Sequence, residues 1–317
     1  LKRSRTKHLD FRVMQKKITY LALVTAVLLS CNSSQEKSKT KPHIVTTIGM
    51  LADAANHIVG DSATVEALMG AGVDPHLYKA TQGDLQLLTD ADIIIYNGLH
   101  LEGKMGEVLE KLGHTKLVIA GAESIPEQNR KQSMAYTDAY DPHVWFDVSL
   151  WKIVTQNISI QLQKIHPKNT AYYQSNTDRY LLQLDSLHLA VRSMISTIPE
   201  SQRILITAHD AFEYFGTAYD MKVRGLQGIS TVADFGLKDI TDLVDYILAN
   251  QIKAVFIETS VSQKAINAVV EGCQKRGFEI VIGGSLYSDA MGAQDTPEGT
   301  YIGMVNANVQ TIVNALK

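Results

Sequence analysis

Cysteine is nearly missing from this chain: two residues in 317, and only Cys273 lies beyond the amino-terminal region. One thiol in the body excludes an intrachain disulfide there, whatever the redox compartment. Stability must then come from a buried core, and roughly 275 residues are enough for two domains. Long apolar runs are lacking as well. The uncharged stretch Ile18–Leu29 spans 12 residues, too few for a comfortable membrane crossing, and no later segment is apolar enough. A basic surplus is also absent. Residues 1–30 hold seven basic and one acidic residue; without them 23 basic and 32 acidic side chains remain, a net charge of −9. An acidic surface argues against nucleic acid as a partner and suits attraction of cations. No HExxH stands anywhere in the sequence, so the usual zinc-hydrolase signature is missing.

The amino-terminal region reads as an export signal. Lys16 and Lys17 precede the Ile18–Leu29 run, the order of a signal peptide over residues 1–30. Met14 would open a leader of ordinary length, which would leave residues 1–13 outside it. Leu28-Leu29-Ser30-Cys31 resembles a bacterial lipobox, with cleavage before Cys31 and a lipid on its thiol. The alternative is an ordinary signal peptide with an incidental cysteine. Residues 31–41 are polar, with no core-forming side chain, and read as a flexible tether.

The rest shows the rhythm of two α/β halves, an N-terminal lobe over 42–168 and a C-terminal lobe over 199–317. Short β-rich runs at 44–48, 64–69, 93–96 and 117–120 alternate with helical spacing at 50–59, 81–89 and 103–112. The second half repeats this with strands at 204–207, 222–226, 255–258 and 280–282, and helices at 238–250, 263–276 and 301–316. Alternation of this kind predicts mainly parallel sheets flanked by helices. Leu150–Ile165 is one amphipathic stretch, closed by His166-Pro167. From Asn169 to Ile198 no Gly or Pro occurs, and Tyr173, Tyr180, Leu184, Leu187, Val191 and Met194 recur at helical steps. The spacing predicts one long rigid linker helix over 169–198; two helices kinked near Ser175-Asn176 are the alternative.

Two copies of Asp-Pro-His stand out: Asp74-Pro75-His76-Leu77-Tyr78 and Asp141-Pro142-His143-Val144-Trp145. Proline fixes its own φ and biases the preceding residue toward extended conformations, so each triplet is a stiff bend that aims one imidazole. Imidazole is the commonest protein ligand for borderline divalent metals. His209 closes the β-rich run Ile204–Ala208, and Asp289 follows the run at 280–282. Open parallel sheets bind ligands outside the carboxyl ends of their strands, so His76, His143, His209 and Asp289 would converge in the cleft, two from each half. The other seven of the ten histidines lack this placement. His8 lies in the leader, His57, His114, His166 and His188 lie in or beside helical patterns, and His43 and His100 have no metal-like neighbour. Glu258, ending the run 255–258, is read either as an acceptor that orients a ligand imidazole or as a buried structural carboxylate.

With these motifs in order, from Asp74–Thr81 and Asp141–Trp151 through Thr207–Phe215, Gly225–Thr231 and Leu286–Gly292, the chain resembles the TroA-like metal-binding lipoproteins of bacterial manganese and zinc ABC importers. The resemblance runs from about Lys41 to the carboxyl terminus. It implies two α/β lobes joined by a rigid helix, four metal ligands at His76, His143, His209 and Asp289, and delivery of Zn²⁺, Mn²⁺ or Fe²⁺ to a membrane permease. Members with a strong manganese preference often carry Glu where His209 stands. Dedicated zinc importers often have a His-rich loop, and the corresponding stretch 121–140 has no histidine.

Three imidazoles and one carboxylate suit Zn²⁺ and accommodate Mn²⁺ or Fe²⁺ if the carboxylate binds through both oxygens. Four protein ligands also argue against catalysis, because a hydrolytic zinc site keeps a position open for water. The alternatives are a His₃Asp metallohydrolase with Glu258 as base, a lipid-anchored adhesin, and a clamshell receptor for a larger metal chelate. The reading expects no enzyme, an exported and lipid-anchored protein of the cell envelope, and a divalent metal and an ABC permease as partners.

Overall fold

The β-rich runs of the first half form β1 (His43–Thr46), β2 (Thr64–Ala67), β3 (Ile93–Tyr96) and β4 (Leu117–Ala120), a sheet of order β2-β1-β3-β4. Every pairing in it is parallel. The computed structural model describes residues 41–133, 139–232 and 235–317; the leader, Cys31 and most of the tether lie outside the described residues. The helices of this half are α1 (Gly49–Val59), α2 (Gln82–Asp90) and α3 (Gly106–Gly113). Thr81 caps α2 in a reciprocal arrangement with Asp84, each side chain accepting from the other's backbone N–H.

Two antiparallel helices follow, α4 (Val148–Ile165) and α5 (Thr170–Ile195), separated by the turn at His166-Pro167. The linker is a single 26-residue helix with no break at Ser175-Asn176, about 39 Å long at the standard rise. Its stripe of Tyr173, Thr177, Tyr180, Leu184, Leu187, Val191 and Ile195 is buried. Asn176 donates to the Ile58 carbonyl at the end of α1 (3.1 Å), and Thr177 meets Ser159 of α4 hydroxyl to hydroxyl (2.6 Å).

The second half holds β5 (Ile204–His209) paired with β6 (Lys222–Gln227), and β7 (Ala254–Glu258) paired with β8 (Val281–Leu286), both parallel. Its helices are α6 (Glu213–Tyr219), α7 (Leu237–Asn250), α8 (Lys264–Lys275) and α9 (Tyr301–Leu316). This is the expected α/β class with parallel sheets, flanking helices and a long connecting helix. β8 begins at Val281 and runs on to Leu286, past the predicted end at Ile282. Gly283 and Gly284 hide this stretch from propensity, because glycine weakens a strand. They are needed there because α9 lies against the strand: a Cβ on Gly284, whose φ is +147°, would stand 2.4 Å from Thr311 Cγ2.

Residues Pro42–Lys317 form one compact unit. Its larger core runs from Ile44, Ile94 and Trp151 through Leu184 to Leu205, Phe256, Tyr301 and Ile312, and so spans both halves. A smaller core under α7 and α8 gathers Ile206, Leu243, Ile247, Val255, Ile266 and Cys273.

Candidate metal centre

Three of the four sequence-predicted ligands come shortly after or at the end of a strand, and the fourth lies before α4. His76 follows β2, His143 lies beyond β4, His209 is the last residue of β5, and Asp289 comes three residues after β8. One donor atom from each lies within 4.8 Å of the others, and all four residues are buried. His143 and His209 have no solvent exposure and Asp289 has 1 %, whereas His76 keeps 6 %.

The two Asp-Pro-His bends are alike in backbone and different in side chain. In each, the aspartate accepts from the histidine's own N–H, Asp74 Oδ1 from His76 (2.8 Å) and Asp141 Oδ1 from His143 (2.9 Å). Asp141 Oδ1 also meets His143 Nδ1 at 2.7 Å. Asp74 instead turns Oδ2 to the Thr231 hydroxyl, which donates to it across the cleft (2.6 Å). On the far side Glu258, the last residue of β7, takes His209 Nδ1 at 2.5 Å with Oε2 and the His209 backbone N–H at 2.9 Å with Oε1. Of the two readings of Glu258, the geometry matches the acceptor that orients an imidazole.

Because carboxylates sit on Nδ1 of His143 and His209, these rings carry their proton there and turn Nε2 inward. His76 Nε2 and His143 Nε2 are 3.3 Å apart. The Asp289 carboxylate faces this group with both oxygens: Oδ1 is 3.4 Å from His143 Nε2, and Oδ2 is 3.3 Å from His209 Nε2 and 3.9 Å from His76 Nε2. Neither oxygen, nor His209 Nε2, has a hydrogen-bond partner among the described residues. Acceptors that converge in a buried space repel one another unless a cation or protons lie between them.

The titration behaviour agrees. Burial acts against the imidazolium of His143, but Asp141 and then Asp289 outweigh it and lift the group to about 9. Burial likewise opposes protonation of His209, and Glu258 with Asp289 raises it well above the ordinary value. Burial, reinforced by the other two rings and opposed by Asp289, drives His76 down to about 3. Asp289 is held far below the usual carboxylate range despite its burial, first by His209 and then by His143.

Sequence reasoning named the four central residues and Glu258 but missed Asp141, Asp74 and Thr231 as supports. The signal for Asp141 was present, since an Asp two residues before the histidine N–H is the side chain that closes an Asx turn. Thr231 could not be found that way, because its partner is 157 residues distant. Another support is Asn97, whose side chain donates to the Pro142 carbonyl (3.0 Å) and so braces the second bend.

Parallel α/β halves bridged by one long helix, with an imidazole and carboxylate cluster at the strand ends, define a solute-binding receptor for metal ions. The chain belongs to the ZnuA family, described as zinc-uptake complex component A, periplasmic, whose model matches residues 44–315. It is 48 % identical over 295 residues to the manganese-binding lipoprotein MntA of Bacillus subtilis (strain 168), covering 92 % of this chain and 96 % of that one. The zinc-binding protein TroA of Treponema pallidum (strain Nichols) is 44 % identical over 93 % of this chain and 96 % of its own. The solved structure of the Treponema pallidum periplasmic zinc-binding protein TroA superposes with a TM-score of 0.85 at 46 % identity, covering 87 % of this chain and 99 % of that one. The protein is thus a TroA-like metal-binding component of ABC-type metal importers, in a family of solute-binding proteins rather than enzymes. Nothing in the site supports the hydrolase alternative: both oxygens of Glu258, its would-be base, are committed to His209.

Proposed function

We propose that His76, His143, His209 and Asp289 bind one divalent transition metal as cargo, and that the protein hands this ion to an ABC permease in the membrane. The observation that carries the reading is the Asp289 carboxylate, fully buried, without hydrogen-bond partners, and directed at three inward-facing Nε2 atoms. Three neutral imidazoles and one carboxylate leave a bound M²⁺ with a local charge of about +1, a donor set matched to Zn²⁺ and open to Mn²⁺ or Fe²⁺. Four protein donors favour storage and transfer of the ion over activation of water.

The cell envelope is the site of action. Cleavage before Cys31 and lipidation of its thiol would tether the receptor at the membrane surface beside the permease. Among the described residues no helix is long and apolar enough to cross a membrane.

Affinity order places Zn²⁺ above Mn²⁺ in an imidazole-rich site. Competition calorimetry on metal-stripped protein is expected to give one site per chain and tighter binding of Zn²⁺. A clear Mn²⁺ advantage would reverse the order, and retention of full affinity in both His76→Ala and Asp289→Ala would remove the site itself.

A further inference from the structure

The residue after His143-Val144 is Trp145, which touches more of the second half than its position suggests. It is fully buried, and its ring stands edge-on to His143 with centroids 5.3 Å apart. Its indole N–H donates to the carbonyl of Ser288 at 3.0 Å, across the junction between the halves. The carbonyl of Trp145 accepts from the Tyr301 hydroxyl at the start of α9 (2.7 Å). From the other side Asn308 of α9 clasps Tyr287, accepting from its N–H and donating to its carbonyl, both at 2.8 Å. The Ser288 hydroxyl pairs with that of Ser260 at 2.8 Å. The two residues before Asp289 are therefore pinned on three sides, and Trp145 is the only one of these pins that comes from the half carrying His76 and His143.

We propose that Trp145 is a positioning residue that sets the presentation of the Asp289 carboxylate and thereby the balance between metals; this rests on the reading of Asp289 as a ligand. The pinned backbone keeps both carboxylate oxygens turned inward, each 3.3–3.4 Å from an imidazole nitrogen. Zn²⁺ is satisfied by four donors and needs one of those oxygens. Mn²⁺ favours oxygen donors and higher coordination, so it draws on both. Loss of the indole N–H lets the 288–289 backbone turn. Binding through one oxygen tolerates that turn, and binding through two does not.

The test is Trp145→Phe, which keeps an aromatic ring beside His143 and deletes the donor. Chelator-competition titrations with Zn²⁺ and with Mn²⁺ are run on metal-stripped wild type and variant. The Mn²⁺ dissociation constant is expected to rise about fivefold, the size of one lost hydrogen bond, and that for Zn²⁺ less than about twofold. Tyr301→Phe removes the second arm of the bracket without touching the site. It should shift the ratio the same way, and it carries the test alone if Trp145→Phe does not fold. Equal weakening for both metals, or none for either, overturns the proposal. Wild type that binds neither metal instead overturns the assignment of the site.

Discussion

At His209 two hydrogen bonds from one carboxylate decide how the ring is presented. Glu258 offers two acceptors to two N–H donors. Glu258→Gln replaces one acceptor with an NH₂ that faces a donor, so metal affinity should drop about 10- to 100-fold while the four proposed ligands stay in place. Chelator competition measures the loss, and affinity within about twofold of wild type would show that the pairing is not needed. His143 gives a pH signature. With the ion absent its imidazolium persists up to about 9, so at neutral pH an incoming metal must displace that proton. Affinity should therefore rise with pH to about 9, with proton release seen as a dependence of the calorimetric heat on buffer ionisation enthalpy. The sign for stability is opposite. A folded-state pKa lifted above the ordinary 6.5 stabilises the metal-free protein fully below pH 6.5, and this contribution is lost as pH climbs to 9. Metal-free protein should thus lose melting temperature across that window, and metal-loaded protein, which has no such proton, should not. At this scale His76 and His143 were legible because proline stiffens the bends that carry them, and His209 because it closes a β-rich run. Asp141 carried only the signal of an Asx turn, which does not distinguish a support of the imidazole from an ordinary turn residue.

Among the elements, β5 and β6 show how little slack the site has. Gly225 on β6 faces the end of β5 so closely that a Cβ would lie 2.4 Å from Asp210 N and 2.6 Å from His209 C. Gly225→Ala must move the backbone at His209, one of the four proposed ligands, and a combined loss of melting temperature and metal affinity is expected. The linker helix behaves differently because none of the four proposed ligands lies on it. Leu184→Ala in its fully buried stripe should cost about 2–5 kcal/mol in denaturant unfolding, with metal affinity unchanged. Alternation and periodicity made most strands and the long helices readable. The exceptions were β8, where α9 demands glycine, and the short α6, whose seven residues give too few turns for a period to emerge.

For the molecule as a whole, the shared core constrains motion. Apolar packing continues from the first sheet through α5 into α9, so hinging the halves apart would expose part of that core. Scattering curves with and without metal are expected to superpose closely, with change confined to the loops around His209 and Asp289. A large compaction on loading would contradict this. Binding to the folded state alone should also raise stability, by about 4 kcal/mol at free metal a thousandfold above the dissociation constant, seen as a concentration-dependent melting temperature.

Local chemistry written along the chain settles the class of fold, the helix that joins its halves, and the two stiff bends that aim His76 and His143, since proline geometry and hydrophobic period act over a few residues. Tertiary structure alone decides the partners of those groups: Thr231 on Asp74, Glu258 on His209, and Trp145 on the backbone beside Asp289. Each such pair joins residues dozens to more than a hundred positions apart. Only packing of the strands and helices brings them within hydrogen-bond reach, and no local pattern encodes that meeting.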